Sequence, residues 1–253
     1  VKLFDRISRK LYLTENGRRA LQYARHIIDL LDEMEQGVRD VDAMGRLKVG
    51  TSITIGTYLL PGYIKKLKQQ YPALKVEASI ANSGTIEQQI LDNDIDVGII
   101  EGVAHSPFIL SESFAGDRLV FICPAGHEFA GKTLEELSEV RNQDFILREK
   151  GSAGREIFDG ILAAQELNVR PIWQSASNQV ILQGVKAGLG ISILPYFLVR
   201  QDIREGELAE FRIKDLALNR KYSVIYHKNK FLPRSARTLM ELCKEENGTA
   251  RGL

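Results

Sequence analysis

The sequence predicts an α/β protein in which two similar Rossmann-like lobes follow one long amphipathic helix. Three observations carry this expectation. Apolar residues at alternating steps of four and three, Ala20, Ala24, Ile27, Leu31, Met34, Val38 and Val41, mark a heptad seam within residues 15–44. Beyond Gly45, short β-rich runs alternate with amphipathic stretches, the pattern of parallel βαβ units joined by right-handed crossovers. The alternation occurs twice, over residues 47–100 and again over 119–194.

At the start, residues 3–6 and 10–13 read as a hairpin around Ile7-Ser8-Arg9, with the basic residues Arg6, Arg9 and Lys10 at or beside its tip. Thr14 offers a hydroxyl as N-cap for the long helix, and Glu15 suits the positive end of its dipole. Arg18, Gln22, Arg25, Asp29 and Asp32 fit a solvated outer face, while Gly37 weakens the helix near its end. A heptad seam is buried against a second helix, so Ala24, Ile27, Leu31, Met34 and Val38 are expected to hold two chains together.

The first lobe reads as a strand over 47–50, a helix over 61–70, a strand over 75–80, a helix over 86–92 and a strand over 96–100. The second reads as strands over 119–123, 145–148, 171–174 and 191–194, with helices over 135–140, 152–167 and 177–187, the last stopped by Gly188. Strands over 208–213 and 222–227 precede a helix over 234–245 that follows Pro233. Chain crossings near 117 and 226 would return that helix to the first lobe. Lobe I is then 45–117 with 226–247, lobe II is 118–225, and 248–253 is a loose tail.

A chain of 253 residues with 44% hydrophobic content can fill such cores, and a net charge of +1 carries no general basic field, so any nucleic-acid contact must be local. Cys123 and Cys243 lack a CxxC or a nearby histidine pair, which reads as two reduced thiols in a cytoplasmic protein with no metal site. No apolar run reaches bilayer length, and the first residues lack a signal peptide's apolar core. The chain begins at Val1 in a segment already rich in structural signals, which reads as a piece of a longer protein.

In open parallel sheets, ligands sit beyond the carboxyl ends of the strands, where helix N-termini present free amides. Four segments fall there: Thr51, Ser52 and Thr54; Asn82, Ser83, Gly84 and Thr85; residues 151–155, with Ser152 and Arg155; and Ser175, Ser177 and Asn178. Each alone reads as an ordinary helix cap. Four across two lobes, with Arg148 or Arg155 nearby, suit a small anion or a carboxylate-bearing metabolite. No nucleophile elbow, phosphate loop, H-E-x-x-H pair or dinucleotide turn occurs, and the histidines are scattered, so no catalytic constellation and no cofactor is expected.

In order and spacing these signals resemble the LysR-type transcriptional regulators. Leu3-Phe4-Asp5-Arg6, Leu13-Thr14-Glu15-Asn16-Gly17 and the helix after them resemble that family's wing and dimerising linker helix. Its inducer-binding domain is echoed by Gly45-Arg46-Leu47-Lys48-Val49-Gly50, Leu60-Pro61, Asp96-Val97-Gly98-Ile99, Pro124-Ala125-Gly126-His127 and the stretch from Gly184 to Pro195. The resemblance implies a winged-helix remnant over 1–14, a linker helix over 15–44, and an effector domain built like a type 2 periplasmic solute-binding protein. It implies effector contacts at Thr51, Ser52, Thr54, Ser83 and Gly84 in lobe I, and at Glu149, Ser152, Ser177 and Asn178 in lobe II. Through the same resemblance, DNA is a partner, Arg6, Arg9 and Lys10 would touch phosphates or the minor groove, and the chain would form a homodimer or homotetramer. One departure stands out: nothing here corresponds to the helix-turn-helix that precedes the wing, so base readout in the major groove is not expected of these residues.

Two other classes share the two-lobe scaffold. A transport-type solute-binding protein needs export and no coiled-coil arm, and a cytosolic enzyme needs an acid, base and nucleophile cluster that the sequence does not show.

Overall fold

The computed structural model describes residues 1–7, 9–38 and 45–245. Strands β1 (Phe4–Ile7) and β2 (Lys10–Leu13) pair antiparallel with Ile7 opposite Lys10, so the turn has two residues, and Arg9 takes the positive φ (68°) that such turns demand. Thr14 then caps helix α1 (Glu15–Val38): its hydroxyl oxygen accepts from the Gly17 amide at 2.9 Å and donates to the Lys2 carbonyl at 2.7 Å. A Cβ at Gly17 would run into the Leu3 carbonyl, so only glycine lets the hairpin lie against the helix's first turn. Val41 of the heptad seam and the tail at 248–253 lie outside the described residues, as do the side-chain surroundings of Met34 and Val38.

Lobe I contains β3 (Arg46–Ser52), α2 (Ile53–Tyr58), α3 (Leu60–Gln70), β4 (Lys75–Ala81), α4 (Ser83–Leu91) and β5 (Val97–Glu101). β3 lies between β4 and β5, parallel to both. β5 is buried along its whole length, which is why its sequence is an unbroken Val-Gly-Ile-Ile run before Glu101. The 16-residue β6 (Ile109–Pro124) then passes from one lobe into the other.

Lobe II adds β7 (Thr133–Leu134), β8 (Phe145–Arg148), α5 (Ala153–Ala164), β9 (Pro171–Ser175), α6 (Asn178–Lys186), β10 (Ser192–Pro195), α7 (Tyr196–Arg204) and β11 (Leu208–Ile213). β10 and β11 flank the second half of β6, and β8 pairs with β9 while bridging to Ile191 beside β10. The chain returns through β12 (Asn219–His227) to α8 (Arg234–Glu245), which packs in lobe I: the Tyr71 and Thr238 hydroxyls lie 3.2 Å apart.

Each lobe has helices on both faces of its sheet. Leu47, Val49, Tyr63, Leu67, Leu239 and Cys243 fill the α3 and α8 side of lobe I, and Ile86, Ile90, Ile100 and Ile225 fill its α4 side. In lobe II, Phe121, Phe145, Phe158 and Phe211 pack beneath α5, and Ile122, Ile146, Ile181 and Val199 pack beneath α6 and α7. Alternate residues of β6 supply both cores of lobe II, as the two-residue period of a strand requires.

Several expectations need correction. The second crossing falls at Leu218 and Asn219 rather than near 226, because β12 pairs over its full length with Ile109–Arg118 of β6 and at Tyr222–Ile225 with β5. Residues 135–140 form only a four-residue 3-10 turn at Leu137–Val140. Helices α2 and α7 and the first half of β6 had no clear period. α2 is six residues of Thr, Ile, Gly and Tyr, and Ile109–Arg118 is largely solvated on one side.

Candidate functional site

The carboxyl ends of β3, β4 and β5 face those of β8 and β9, and the lobes meet there. The Gly84 amide at the start of α4 donates to the Gly151 carbonyl at 3.0 Å. Gly151 adopts φ 87°, and a Cβ there would approach Asn82 Oδ1 to 3.0 Å, so this loop needs glycine to come so close. On the lobe edges, His105 Nε2 lies 2.7 Å from Glu156 Oε1, and the Tyr58 and Phe197 rings meet edge-on with centroids 5.0 Å apart.

Around this crevice the expected residues divide by what their polar atoms already do. Thr51, Ser52 and Thr54 are all buried where β3 passes into α2. The Thr51 hydroxyl donates to the Ser52 carbonyl, whereas Ser52 Oγ is buried with no hydrogen-bond partner among the described residues. Such a group costs on the order of 1 to 3 kcal/mol unless something satisfies it. The Ser83 hydroxyl donates to the Glu101 carbonyl at 3.0 Å, and Asn82 caps α4 by accepting from the Thr85 amide.

In lobe II, Arg148 is fully engaged: Nε and Nη2 donate to Glu149 at 2.8 and 3.1 Å, and Nη1 donates to Asn178 Oδ1 at 2.8 Å. Buried Arg155 donates to Asp159, to the Arg148 carbonyl and to Gln174. Both arginines thus brace the β8 and α5 region. Ser177 caps α6 by accepting from the Val180 amide, and Ser152 is buried at the start of α5.

Sequence reasoning missed the charged group at the crossing strands. Arg220 on β12 donates Nε and Nη2 to the two oxygens of Asp117 on β6, at 2.6 and 2.7 Å, and the Tyr222 hydroxyl donates to Asp117 at 2.7 Å. Glu101 sits 3.7 Å from Arg220 Nη1. Burial opposes charge on Arg220, but Glu101 and Asp117 outweigh it and hold its pKa up, while burial and then Asp117 raise that of Tyr222. The partners are about a hundred residues apart in sequence, so no local pattern marks them. His105 was also read as unremarkable, although it bridges Glu87 on α4 and Glu156 on α5.

Outside the crevice, Arg6, Arg9 and Lys10 are exposed on the hairpin. Ala24, Ile27 and Leu31 are exposed on α1, Ile27 by 65% and Leu31 by 52%, leaving an unpartnered apolar face on a single chain. Cys123 and Cys243 are free and buried, and burial pushes the Cys123 thiol up to about 11. Asp202, Glu205 and Glu207 bring carboxylates within 4.8 Å of one another, but the Lys186 ammonium already sits against Asp202 and Glu207. Among the described residues, no helix is long and apolar enough to cross a membrane.

Comparison with known proteins points one way. The family described as the LysR substrate binding domain matches residues 42–248. The HTH-type transcriptional regulator YeiE of Escherichia coli is 34% identical over 249 residues, covering 98% of this chain and 83% of that protein. CysL, an HTH-type transcriptional regulator of Bacillus subtilis, is 28% identical over 226 residues, 88% of this chain and 76% of that protein. Among solved structures, the regulatory domain of Synechocystis CcmR in complex with 2-PG superposes with a TM-score of 0.72 at 25% identity, covering 80% of this chain and 97% of that one.

Proposed function

The chain belongs to the LysR-type transcriptional regulators, and on that premise we propose that a small anionic metabolite binds between its lobes and biases their relative orientation. The observation that carries the site is Ser52 Oγ, a hydroxyl buried without a partner where β3 ends. Thr51 and Thr54 flank it in the chain, Ser83 and Gly84 open α4 after the neighbouring strand β4, and Glu149, Ser152, Ser177 and Asn178 would supply the lobe II side. The ligand acts by binding one lobe arrangement better than the other, since equal affinity for both would shift nothing.

In this reading residues 1–14 are the remnant of a wing whose Arg6, Arg9 and Lys10 touch DNA phosphates. Residues 15–44 pair two chains through Ala24, Ile27, Leu31, Met34 and Val38, and two such dimers make a tetramer. The protein works in the cytoplasm, beside DNA, as a regulator rather than an enzyme; the curated relatives it matches are transcriptional regulators.

Calorimetric titration with small anions, beginning with 2-PG because CcmR was solved with it, tests the site. For a ligand that binds, Ser52→Ala and Thr54→Ala should each weaken affinity by roughly 5- to 150-fold, the value of one buried hydrogen bond. Unchanged affinity in both variants removes these hydroxyls from the site.

A further inference from the structure

The buried group at the crossing strands is unevenly paired. The Arg220 fork grips Asp117 through Nε and Nη2, and the Tyr222 hydroxyl donates to the same carboxylate. Nη1 stops 3.7 Å from Glu101 Oε1, too far for a hydrogen bond, and that buried oxygen has no other partner among the described residues. Two carboxylates face one guanidinium, and only one holds it.

The two carboxylates belong to different parts of the fold. Asp117 and Arg220 are paired residues of β6 and β12 beside the crossing, where the Leu119 amide donates to the Leu218 carbonyl. Glu101 ends β5 inside lobe I, next to the crevice. Its carbonyl accepts from the Ser83 hydroxyl, and a Cβ on the following Gly102 would come within 3.0 Å of the Ala153 side chain of lobe II. Between the two sites β6 carries one extra residue, Phe114, opposite the step from Tyr222 to Ser223, and such a bulge is where a strand bends. Bending there moves Asp117 relative to Glu101.

We propose that Arg220 is a two-position latch: held by Asp117 in the arrangement described, it turns to Glu101 when the lobes rotate about the crossing strands. A charge-assisted hydrogen bond is about 2.8 Å long, so a shift of about 1 Å closes the gap to Glu101. In the second position Asp117 keeps the Tyr222 hydroxyl, so its loss is partial while Glu101 gains a partner. Because Glu101 also borders the crevice, the latch ties the crevice to the strands that join the lobes. It does not depend on which ligand fills the crevice.

The test measures the distance between spin labels on Gln69→Cys of α3 and Ala164→Cys of α5, exposed positions on the two lobes, in the whole chain diluted with unlabelled chain and without added ligand. Cys123 and Cys243 are buried and take no label. Asp117→Asn frees Arg220, and the ratio of the two distance populations should change by roughly 10-fold or more, the value of a hydrogen bond to a charged group. Glu101→Leu alone should keep the wild-type distance, and added to Asp117→Asn it should cancel that shift. Arg220→Lys keeps the charge but loses the two-pronged grip on Asp117, so it should populate both distances, and it is read in place of Asp117→Asn if that variant does not fold. A wild-type distance in the variant so read overturns the proposal. So does a shift that survives the addition of Glu101→Leu, which would mark a mere loosening of the crossing strands.

Discussion

With the lobes in contact, His105 stands between two carboxylates, one from each lobe, and this makes closure pH-dependent. Nδ1 lies 3.2 Å from Glu87 Oε2 on its own lobe, and Nε2 lies 2.7 Å from Glu156 Oε1 on the other. Only the doubly protonated ring can donate at both atoms. The hydrogen bond to Glu87 raises the His105 pKa most, burial opposes it, and the charge of Glu156 adds to the rise. The sign follows from linkage. The protonated ring is favoured in the closed arrangement, so its contribution to closure is complete below the pKa of the open arrangement, where the Glu87 bond persists, and is lost as pH climbs through the higher value of the closed one. His105 is 56% exposed and Glu156 49%, so solvent screens the pair and its contribution is about 0.5 kcal/mol. The Glu87 pair lies within lobe I and cancels when the lobes part. Loss of the cross-lobe pair therefore shifts the closed-to-open ratio by roughly 2-fold. Histidine titration by NMR checks this, with His105→Gln identifying the resonance among His26, His105, His127 and His227. In Glu156→Gln the His105 midpoint should move down and the wild-type value should fall in high salt. A midpoint indifferent to Glu156→Gln would mean that the lobes do not meet in solution as described, and the reasoning would fail.

Leu31→Asp places a charge on the exposed seam of α1 and should lower the mass seen by light scattering by splitting the pair held through α1; an unchanged mass would put association in the lobes. Arg220→Met strands Asp117 and Glu101 without their cation and should cost about 3 to 5 kcal/mol in urea unfolding, part of which Asp117→Leu in the same chain recovers. In Gly98→Ala the new Cβ would meet Ile225 and Ile86 at 2.8 and 2.9 Å, so overpacking of about 1 to 3 kcal/mol is expected by the same method. Cys123, with its thiol pushed up to about 11 by burial, should resist iodoacetamide at pH 8 until the chain is denatured.

How much of this was legible in the sequence depends on whether the signal was local. The cap at Thr14, the heptad residues and the parallel strands β3, β4 and β5 follow from neighbouring residues, because a helix repeats every 3.6 residues and a buried strand needs a continuous apolar run. The positions of Ser52, Thr54 and Ser83 beside the crevice were legible because they follow strands of an open parallel sheet, whose carboxyl ends are where ligands sit. Arg148 and Arg155 were ambiguous in sequence, and their hydrogen bonds assign them to bracing the second lobe.

The sequence by itself determined that a long helix precedes two α/β lobes, and that Asn82 and Ser177 cap helices facing the space between them. Only the tertiary structure decided where the chain crosses between lobes, that Glu101, Asp117 and Arg220 form one buried group, and that His105 reaches the opposite lobe. The physical reason is range: periodicity and capping are written within a few residues, whereas burial and charge pairing between distant strands arise only once the backbone has closed.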